Sequence, residues 1–405
     1  MKFRKIEVSK NALLYLIAII FFYLSSGAFS MLQGIYIKEL KIGEDFLGFI
    51  LSLRIFAVAI FSIPCAIFVN KYGRKKGIMV ALLFVPISGA LQGYFQDKWL
   101  LSIFAVIQGF SNAFLLVSEG PFLMENSNEK NRLKLFSYAF SDNVFSTMVG
   151  YYVFGHISNI FHNFFGIVNA LRYSIIISGL IGVIGCVFII FIEEAKAPVI
   201  GENNIFYKKA FSVIKQRHPR NFLVYNFIIG FGAGLVVPYF NVYLKYKVNA
   251  TTDQIGLILA LAMGAMGIGG LITPYMAIKF GKVKTIIICQ VISIPFLMLI
   301  ALPPSLIVVS FALFMRNALM NMAGPIVGNL SMEIIKEGER SIFASINNIS
   351  GNLSRAVSAV VAGFIMKNFS NGYEIPYFIT AILYLAATIY FYKSFSTLEL
   401  KRKMA

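Results

Sequence analysis

Twelve long apolar segments run through the chain, and they constrain its fold more than any other feature of the sequence. A helix crosses a bilayer with about 20 mostly apolar residues. Of the 405 residues, 58% are apolar and only 13% are charged, whereas soluble proteins carry ~25% charged residues. The sequence therefore predicts an all-α membrane protein and excludes an ordinary soluble enzyme, a disordered chain or a disulfide scaffold. The predicted spans 1 to 12 cover residues 12–37, 46–69, 77–95, 99–124, 133–157, 170–192, 221–244, 254–278, 284–302, 305–332, 341–367 and 375–394.

The positive charge of the chain follows the predicted topology. The net charge is +18, from 36 Lys and Arg against 18 Asp and Glu. With the N-terminus placed inside, 26 of the 36 lie in the inner loops and span ends, and seven lie outside. Because cytoplasmic loops are enriched in Lys and Arg, we expect a multi-pass plasma-membrane protein with both termini cytoplasmic. Charges in short bursts between apolar spans do not form a nucleic-acid surface.

The second half of the sequence repeats the first half at an offset of 208 residues, without a gap. The matched pairs include Asp45 with Asp253, Gly48 with Gly256, Lys71 with Lys279, Gly73 with Gly281, Glu125 with Glu333, and Arg132 with Arg340. The repeat predicts two pseudo-symmetric six-helix bundles in parallel topology, residues 1–194 and 221–405. A basic cytoplasmic linker, residues 195–220, joins them. Parallel repeats of this kind are one architecture of secondary transporters.

The loop between spans 2 and 3 carries a motif that resembles the signature of the major facilitator superfamily, roughly G-x-x-x-D-R-x-G-R-R/K-K. This chain has Ala66 followed by the segment 70–76, Asn-Lys-Tyr-Gly-Arg-Lys-Lys. The resemblance implies twelve helices, alternating access, a small-molecule substrate and no cofactor. Ala66 and Asn70 depart from the family's Gly and Asp, and Ala105 stands near the place where proton-coupled exporters often carry Arg. These departures disfavour a standard drug–proton antiporter.

One set of charged residues is duplicated by the repeat and lies at the predicted cytoplasmic span ends. The charged residues are Lys71, Arg74, Glu125 and Arg132, with the second copy Lys279, Lys282, Glu333 and Arg340, and the set also includes the loop glycines Gly73 and Gly281. In the resembled family such clusters hold the cytoplasmic helix ends together when the inner gate is shut. The alternative is ordinary solvated charge, worth ~0–1 kcal/mol per pair. Duplication in register favours the gate.

A second set of charged residues lies within the spans and is not duplicated. Charges at bilayer depth are costly and usually face a cavity or each other. Arg54 could line the cavity, form a structural ion pair or snorkel outward; Arg316 and Arg355 could serve the substrate, coupling or a structural pair. Asp142 could be a proton site or an arginine partner. Glu119 is a structural or gating partner, with a proton site as the alternative.

Uncharged polar residues indicate which spans line a cavity. Spans 3, 6, 9 and 12 hold few polar residues away from their ends, and the resembled fold places those four outside, facing lipid. The candidate cavity residues on the other spans are Gln33, Asn112, Asn226, Asn348 and Asn352. Single small residues in such spans mostly serve helix packing.

The function predicted from these features is secondary transport of a small organic solute, mildly favouring an anionic or polar one. Coupling to protons through Asp142 or Glu119 is a further hypothesis. Multidrug-type efflux of amphipathic compounds stays open, as does a membrane enzyme or a non-transporting sensor. No nucleotide-binding, zinc-protease or hydrolase motif appears, and the cysteines lack metal-ligand spacing. We expect a monomer in the lipid bilayer that uses no metal and no nucleic acid.

Overall fold

The computed structural model describes residues 9–128, 131–193, 211–302, 305–336 and 339–403. Nearly all of this part is helical, and it contains no β-strand. Eleven helices in it are long and apolar enough to cross a membrane. The predicted fold class, an all-α membrane protein, is therefore confirmed. Residues 195–210 of the predicted linker lie outside the described residues.

The helices match the predicted spans in order. Their bounds are Lys10–Glu39 (span 1), Glu44–Tyr72 (span 2), Arg74–Tyr94 (span 3), Lys98–Glu125 (span 4), Arg132–Ile190 (spans 5 and 6), Arg217–Val236 and Phe240–Tyr246 (span 7), Thr252–Phe280 (span 8), Lys282–Ala301 (span 9), Leu306–Met322 and Gly324–Glu333 (span 10), Arg340–Asn368 (span 11) and Ile375–Lys403 (span 12).

Spans 5 and 6 form one continuous helical stretch, which explains why eleven crossing helices account for twelve predicted spans. The stretch reverses at Gly166, whose φ of 72° and ψ of 165° are not helical. Before Gly166, residue numbers along the stretch rise together with those of the span 1 residues they contact. After Gly166, they rise as those of span 1 fall. The contacting pairs are Gly27 with Thr147 and Ser30 with Tyr151 before the reversal, and Ser25 with Gly182 and Ala18 with Gly185 after it.

Local sequence explains several helix ends and breaks. The Ser9 side chain caps span 1 by accepting a hydrogen bond from the Ala12 amide at 3.2 Å, and Asp97 caps span 4 in the same way. Pro238 and Pro325 lie at the interruptions of spans 7 and 10. A proline donates no backbone hydrogen bond, so it favours a break at these positions.

Contacts divide the chain into two compact units. Unit 1 comprises Met1–Ile42, Leu53–Ile200 and Thr251–Ala260; unit 2 comprises Gly43–Ser52, Gly201–Ala250 and Leu261–Ala405. Each unit thus follows one half of the sequence, except for one exchanged segment of ten residues. The exchanged segments, 43–52 and 251–260, are related by the repeat offset of 208. The division at residues 194 and 221 stays a prediction.

A glycine pair allows the first turns of span 2 to pack closely against span 11 in unit 2. A Cβ atom on Gly48 would lie 2.6 Å from the Ala359 carbonyl oxygen and 3.3 Å from the Gly363 Cα. A Cβ atom on Gly363 would lie 2.5 Å from the Glu44 carbonyl oxygen. Small residues allow helix backbones to approach each other in this way.

Unit 1 holds the repeat-related copy of this packing. A Cβ atom on Gly256 of span 8 would lie 2.5 Å from the Tyr151 carbonyl oxygen and 3.1 Å from the Gly155 Cα of span 5. Gly256 and Gly155 correspond to Gly48 and Gly363 at the offset of 208. We call these two contacts the glycine crossings. The repeat is therefore present in the backbone packing as well as in the sequence.

Candidate functional site

Arg54 of span 2 lies among three buried glutamines in unit 1. Its Nη1 donates hydrogen bonds to Oε1 of Gln33 at 3.2 Å and to Oε1 of Gln108 at 3.4 Å. Gln92 joins these two side chains, since it accepts from Gln33 Nε2 at 2.9 Å and donates to Gln108 Oε1 at 3.3 Å. The guanidinium carbon lies 5.9 Å from the centroid of the Phe29 ring. Every one of these partners is uncharged.

A close approach of two helices places Arg54 beside Gln108. Gly109 faces the Arg54 carbonyl so closely that any side chain there would overlap it. Gln108 and Phe29 also line a small cavity among spans 1, 3, 4 and 6. The predicted site residues Arg54 and Gln33 are therefore brought together, although the sequence did not predict their hydrogen bond.

Arg316 of span 10 is buried in unit 2, with 3% of its surface exposed. Its Nη1 donates to Oδ1 of Asn317 at 2.9 Å, and its Nη2 donates to the Tyr384 hydroxyl at 3.1 Å. The Phe240 ring centroid lies 5.4 Å from the guanidinium carbon. Arg316 Nε is buried and has no hydrogen-bond partner. Like Arg54, Arg316 has no carboxylate partner among the described residues.

The two acids within the spans of unit 1 are not paired with these arginines. Glu119 accepts a hydrogen bond from the buried Tyr15 hydroxyl at 2.9 Å. Asp142 is half-buried and forms no salt bridge within the described ranges. The expectation that Asp142 could be an arginine partner therefore finds no such contact.

The remaining candidate cavity residues are dispersed in the structure. Asn226 donates to the Asn347 carbonyl oxygen at 3.1 Å, which joins span 7 to span 11. Asn112, Asn348 and Arg355 are exposed, and Asn352 is half-buried. No contact in the described part of the chain joins Arg355 to Arg316.

The duplicated charges form the same ion pair in both units. Arg74 Nε lies 3.3 Å from Glu125 Oε1 in unit 1. At the offset of 208, Lys282 Nζ lies 2.5 Å from Glu333 Oε1 in unit 2. Gly73 and Gly281, which precede the two cations, have φ values of 102° and 86°. Those left-handed conformations favour glycine, so the motif glycine sets where the next helix and its cation begin.

The other members of the duplicated set make different contacts. Lys71 and Lys279 are exposed and lie 5.2 and 5.3 Å from the ring centroids of their neighbours, Tyr72 and Phe280. Arg340 Nε donates to the Met332 carbonyl oxygen at 3.1 Å, and Arg132 is half-buried. The ion pair of Arg74 with Glu125, and its copy of Lys282 with Glu333, is therefore the contact that the two predicted clusters share.

Several residues at these sites were not predicted from the sequence. Gln92 lies on span 3 and Tyr384 on span 12, both among the spans expected to face lipid. Each is buried on the inner side of its span, as is Gln290 on span 9. A polar residue isolated within an apolar span was the available signal, because such residues are costly in a membrane unless they are bonded.

The repeated ion pair gives a prediction about coupling between its two members. In melting experiments on the wild type, Arg74→Gln, Glu125→Gln and the double variant, we expect a coupling free energy of ~1 kcal/mol. The side chain of Arg74 is only 6% exposed, whereas that of Glu125 is 43% exposed, so solvent screens part of the interaction. A coupling free energy of zero would contradict the pair.

We also expect both single variants to slow transport while leaving substrate affinity within about threefold, a change of under ~0.7 kcal/mol. Lys76→Gln is the control, since it removes an exposed cation of the same motif that belongs neither to the pair nor to the predicted gating set. A large loss of affinity in Glu125→Gln would instead place Glu125 in the substrate site.

Membrane-crossing helices in two repeated halves are one architecture of polytopic membrane transporters. A family model described as Major Facilitator Superfamily matches residues 14–226 and 222–403. The chain belongs to this superfamily, and the resemblance seen at the loop motif is confirmed. The comparison with curated proteins gave no match.

Solved transporters share the fold over nearly the whole chain. A bacterial homologue of the human lysosomal transporter Spinster, inward-facing and unoccupied, has a TM-score of 0.79 and 12% identity, covering 98% of each chain. The D323A mutant of the nucleoside transporter NupG has a TM-score of 0.78 and 12% identity, covering 96% of this chain and 100% of that one. The xylose transporter XylE from E. coli, in an inward-open conformation, has a TM-score of 0.74 and 16% identity, covering 95% of each. These identities show the fold alone.

Proposed function

We propose that the protein is a secondary transporter that moves a small organic solute with a negative charge by alternating access. The observation that carries this proposal is that Arg54 and Arg316 have only neutral partners among the described residues. A guanidinium held within a membrane span without a counter-charge is costly. A bound anion would provide that counter-charge.

Arginine also suits the chemistry of such a solute. Its planar group can form two parallel hydrogen bonds to a carboxylate or a phosphoryl group. The structural neighbours include a nucleoside transporter and a xylose transporter. They support a small organic solute in general, whereas the two arginines favour an anionic one for this chain.

We further propose that Asp142 or Glu119 couples transport to protons. Both acids lie within the spans of unit 1, and neither forms a salt bridge in the described residues. A carboxyl group without a fixed cation can gain and lose a proton as its surroundings change. Asp142→Asn or Glu119→Gln should then abolish the acceleration of transport by a pH gradient, and an unchanged response in both variants would reject this coupling.

The orientation that we propose follows the Lys and Arg bias, with both termini on the cytoplasmic side of the plasma membrane. Reporter domains fused at Asn163 and at Ala250 should therefore be found outside the cell. A reporter found inside at either position would contradict the orientation.

The substrate proposal is tested by counterflow of radiolabelled solutes into proteoliposomes that contain the purified protein, a readout that does not depend on net charge movement. The solutes are benzoate, succinate and a sugar phosphate as anions, xylose and uridine as neutral solutes, and tetraphenylphosphonium as a cationic amphiphile. We expect a saturable signal with at least one anion, and its loss in the double variant Arg54→Gln, Arg316→Gln. A signal only with neutral solutes would contradict the anionic preference. A signal only with tetraphenylphosphonium would favour multidrug-type efflux.

A further inference from the structure

The hydrogen bonds around Arg54 form a closed ring with a defined direction at every step. Arg54 donates to both Gln33 and Gln108, Gln33 donates to Gln92, and Gln92 donates to Gln108. Gln33, Gln92 and Gln108 are 3%, 2% and 5% exposed. An amide that turned over would present an NH₂ group where its neighbour also donates. The ring therefore fixes the carbonyl oxygens of Gln33 and Gln108 toward Arg54.

The ring uses only one nitrogen of the guanidinium. Both bonds to the glutamines leave from Nη1, and within the described residues Nε and Nη2 donate no hydrogen bond. Arg54 is half-buried, and none of its nitrogens is among the sealed, unpartnered atoms, in contrast to Nε of Arg316. The edge formed by Nε and Nη2 is the one that binds a carboxylate or a phosphoryl group through two parallel bonds.

We propose that this edge of Arg54 binds one carboxylate or phosphoryl group of the substrate and that Gln92 is the positioning residue for it. The proposal rests on the transport function proposed above, because it assigns the acidic group of the solute to a particular edge. Gln92 does not contact Arg54. It acts by holding Gln33 and Gln108 in the orientation that accepts from Nη1.

The position of Gln92 explains why an outer span carries a buried amide. Gln92 also donates to the Ser88 carbonyl oxygen of its own helix at 3.3 Å, so its side chain is held from both ends. Buried polar networks specify a unique geometry when each member is satisfied. Without Gln92, the amides of Gln33 and Gln108 would each lose a partner and could turn over toward Arg54.

The test maps arginine modification by mass spectrometry on the full-length protein in detergent. Phenylglyoxal, which attacks guanidinium groups, is applied alone or with benzoate, phenylphosphonate or the neutral benzamide. We expect Arg54 to react, and either anion to slow the reaction by about threefold once its concentration is twice its dissociation constant. Benzamide should give no protection. The anion that protects Arg54 more strongly indicates whether the edge binds a carboxylate or a phosphoryl group.

Three variants separate positioning from a merely structural role. Gln92→Leu should lose the protection by anions. Gln290→Leu is the matched control, since Gln290 is equally buried on span 9 and bonds to Tyr225 and Thr388, with no arginine among its partners. It should lower the melting temperature and keep the protection. Gln33→Glu should also lose the protection, because it gives Arg54 a permanent carboxylate.

Other results would overturn the proposal. If Arg54 does not react while the exposed Arg355 does, the edge is sealed. If benzamide protects as well as benzoate, or if no anion protects, the edge does not select a negative group. If Gln92→Leu and Gln290→Leu behave alike, Gln92 has no positioning role. None of these modification measurements requires movement of solute across a membrane. A negative result here is therefore distinct from a failure to detect transport in liposomes.

Discussion

Replacing Arg316 by glutamine should weaken the binding of an anionic substrate by ~2–5 kcal/mol, the usual loss when one partner of a buried charge pair is truncated. Arg316 is 3% exposed, and its Nε has no partner, so the site loses its only charge at that position. The measurement is the dissociation constant, by calorimetry, of the anion that gives the strongest signal in liposomes. Arg316→Lys should also weaken the binding of the anion, because an ammonium group cannot donate to Asn317 and Tyr384 with the planar geometry of a guanidinium.

Tyr384→Phe is the graded control for this experiment. It removes one hydrogen bond to the guanidinium and leaves the charge, so we expect a loss of only ~0.5–1.5 kcal/mol. The opposite pattern would reassign Arg316. If Arg316→Gln lowers the melting temperature equally with and without the anion, and leaves the dissociation constant unchanged, Arg316 is a structural residue and the anionic preference loses half its support.

Replacing Gly363 by leucine should separate the first turns of span 2 from span 11. The new side chain would overlap the Glu44 carbonyl oxygen, which lies 2.5 Å from the position of its Cβ, and a backbone atom cannot turn aside as a side chain can. We expect destabilisation of ~1–3 kcal/mol or more, as for other overpacked sites. Cross-linking between cysteines placed at Asp45 and Lys367, whose side chains lie 2.8 Å apart, should fall sharply.

The matched control is Gly270→Leu in span 8, where a Cβ atom would meet nothing within 4 Å. It should leave the cross-link and the melting temperature nearly unchanged. Gly155→Leu should act on the other glycine crossing and leave the Asp45–Lys367 cross-link intact. Equal cross-linking in the Gly363→Leu and Gly270→Leu variants would show that the crossing does not depend on the absence of a side chain.

The fold could be predicted almost completely because membrane insertion imposes strong rules on sequence. Apolar length fixes the spans, Lys and Arg bias predicts their direction, and an ungapped repeat relates the halves. What was not predicted is local. The reversal within the helical stretch of spans 5 and 6 depends on the conformation of Gly166. A helix can continue or turn at any glycine in an apolar run, and the sequence alone does not distinguish the two. The glycine crossings needed the packing partners, which a single sequence does not reveal.

The site was predicted less completely, for a geometric reason. Depth along a span follows from residue number at 1.5 Å per residue, so the arginines that lie within the spans could be identified. The direction of a side chain around the helix, and the neighbour it meets, depend on how spans pack. The pair of Arg74 with Glu125 was accessible because the repeat presents it twice. The ring through Gln92 could not be predicted, because its residues follow no regular spacing in the sequence and have no second copy in the repeat.

The two glycine crossings have the same backbone contacts and different electrostatics. Lys367 pairs with Asp45 at one crossing. At the offset of 208, the other crossing offers Asn159 and Asp253, and Asp253 instead accepts a hydrogen bond from the Thr251 hydroxyl. The distance over which dissolved ions screen exposed charges falls from ~10 Å at 0.1 M salt to ~3 Å at 1 M, which is close to the 2.8 Å between Lys367 and Asp45. Rising ionic strength should therefore loosen the crossing of span 2 with span 11 and leave its counterpart unaffected, a difference that amide hydrogen exchange of the two segments, 43–52 and 251–260, would report in the wild-type protein.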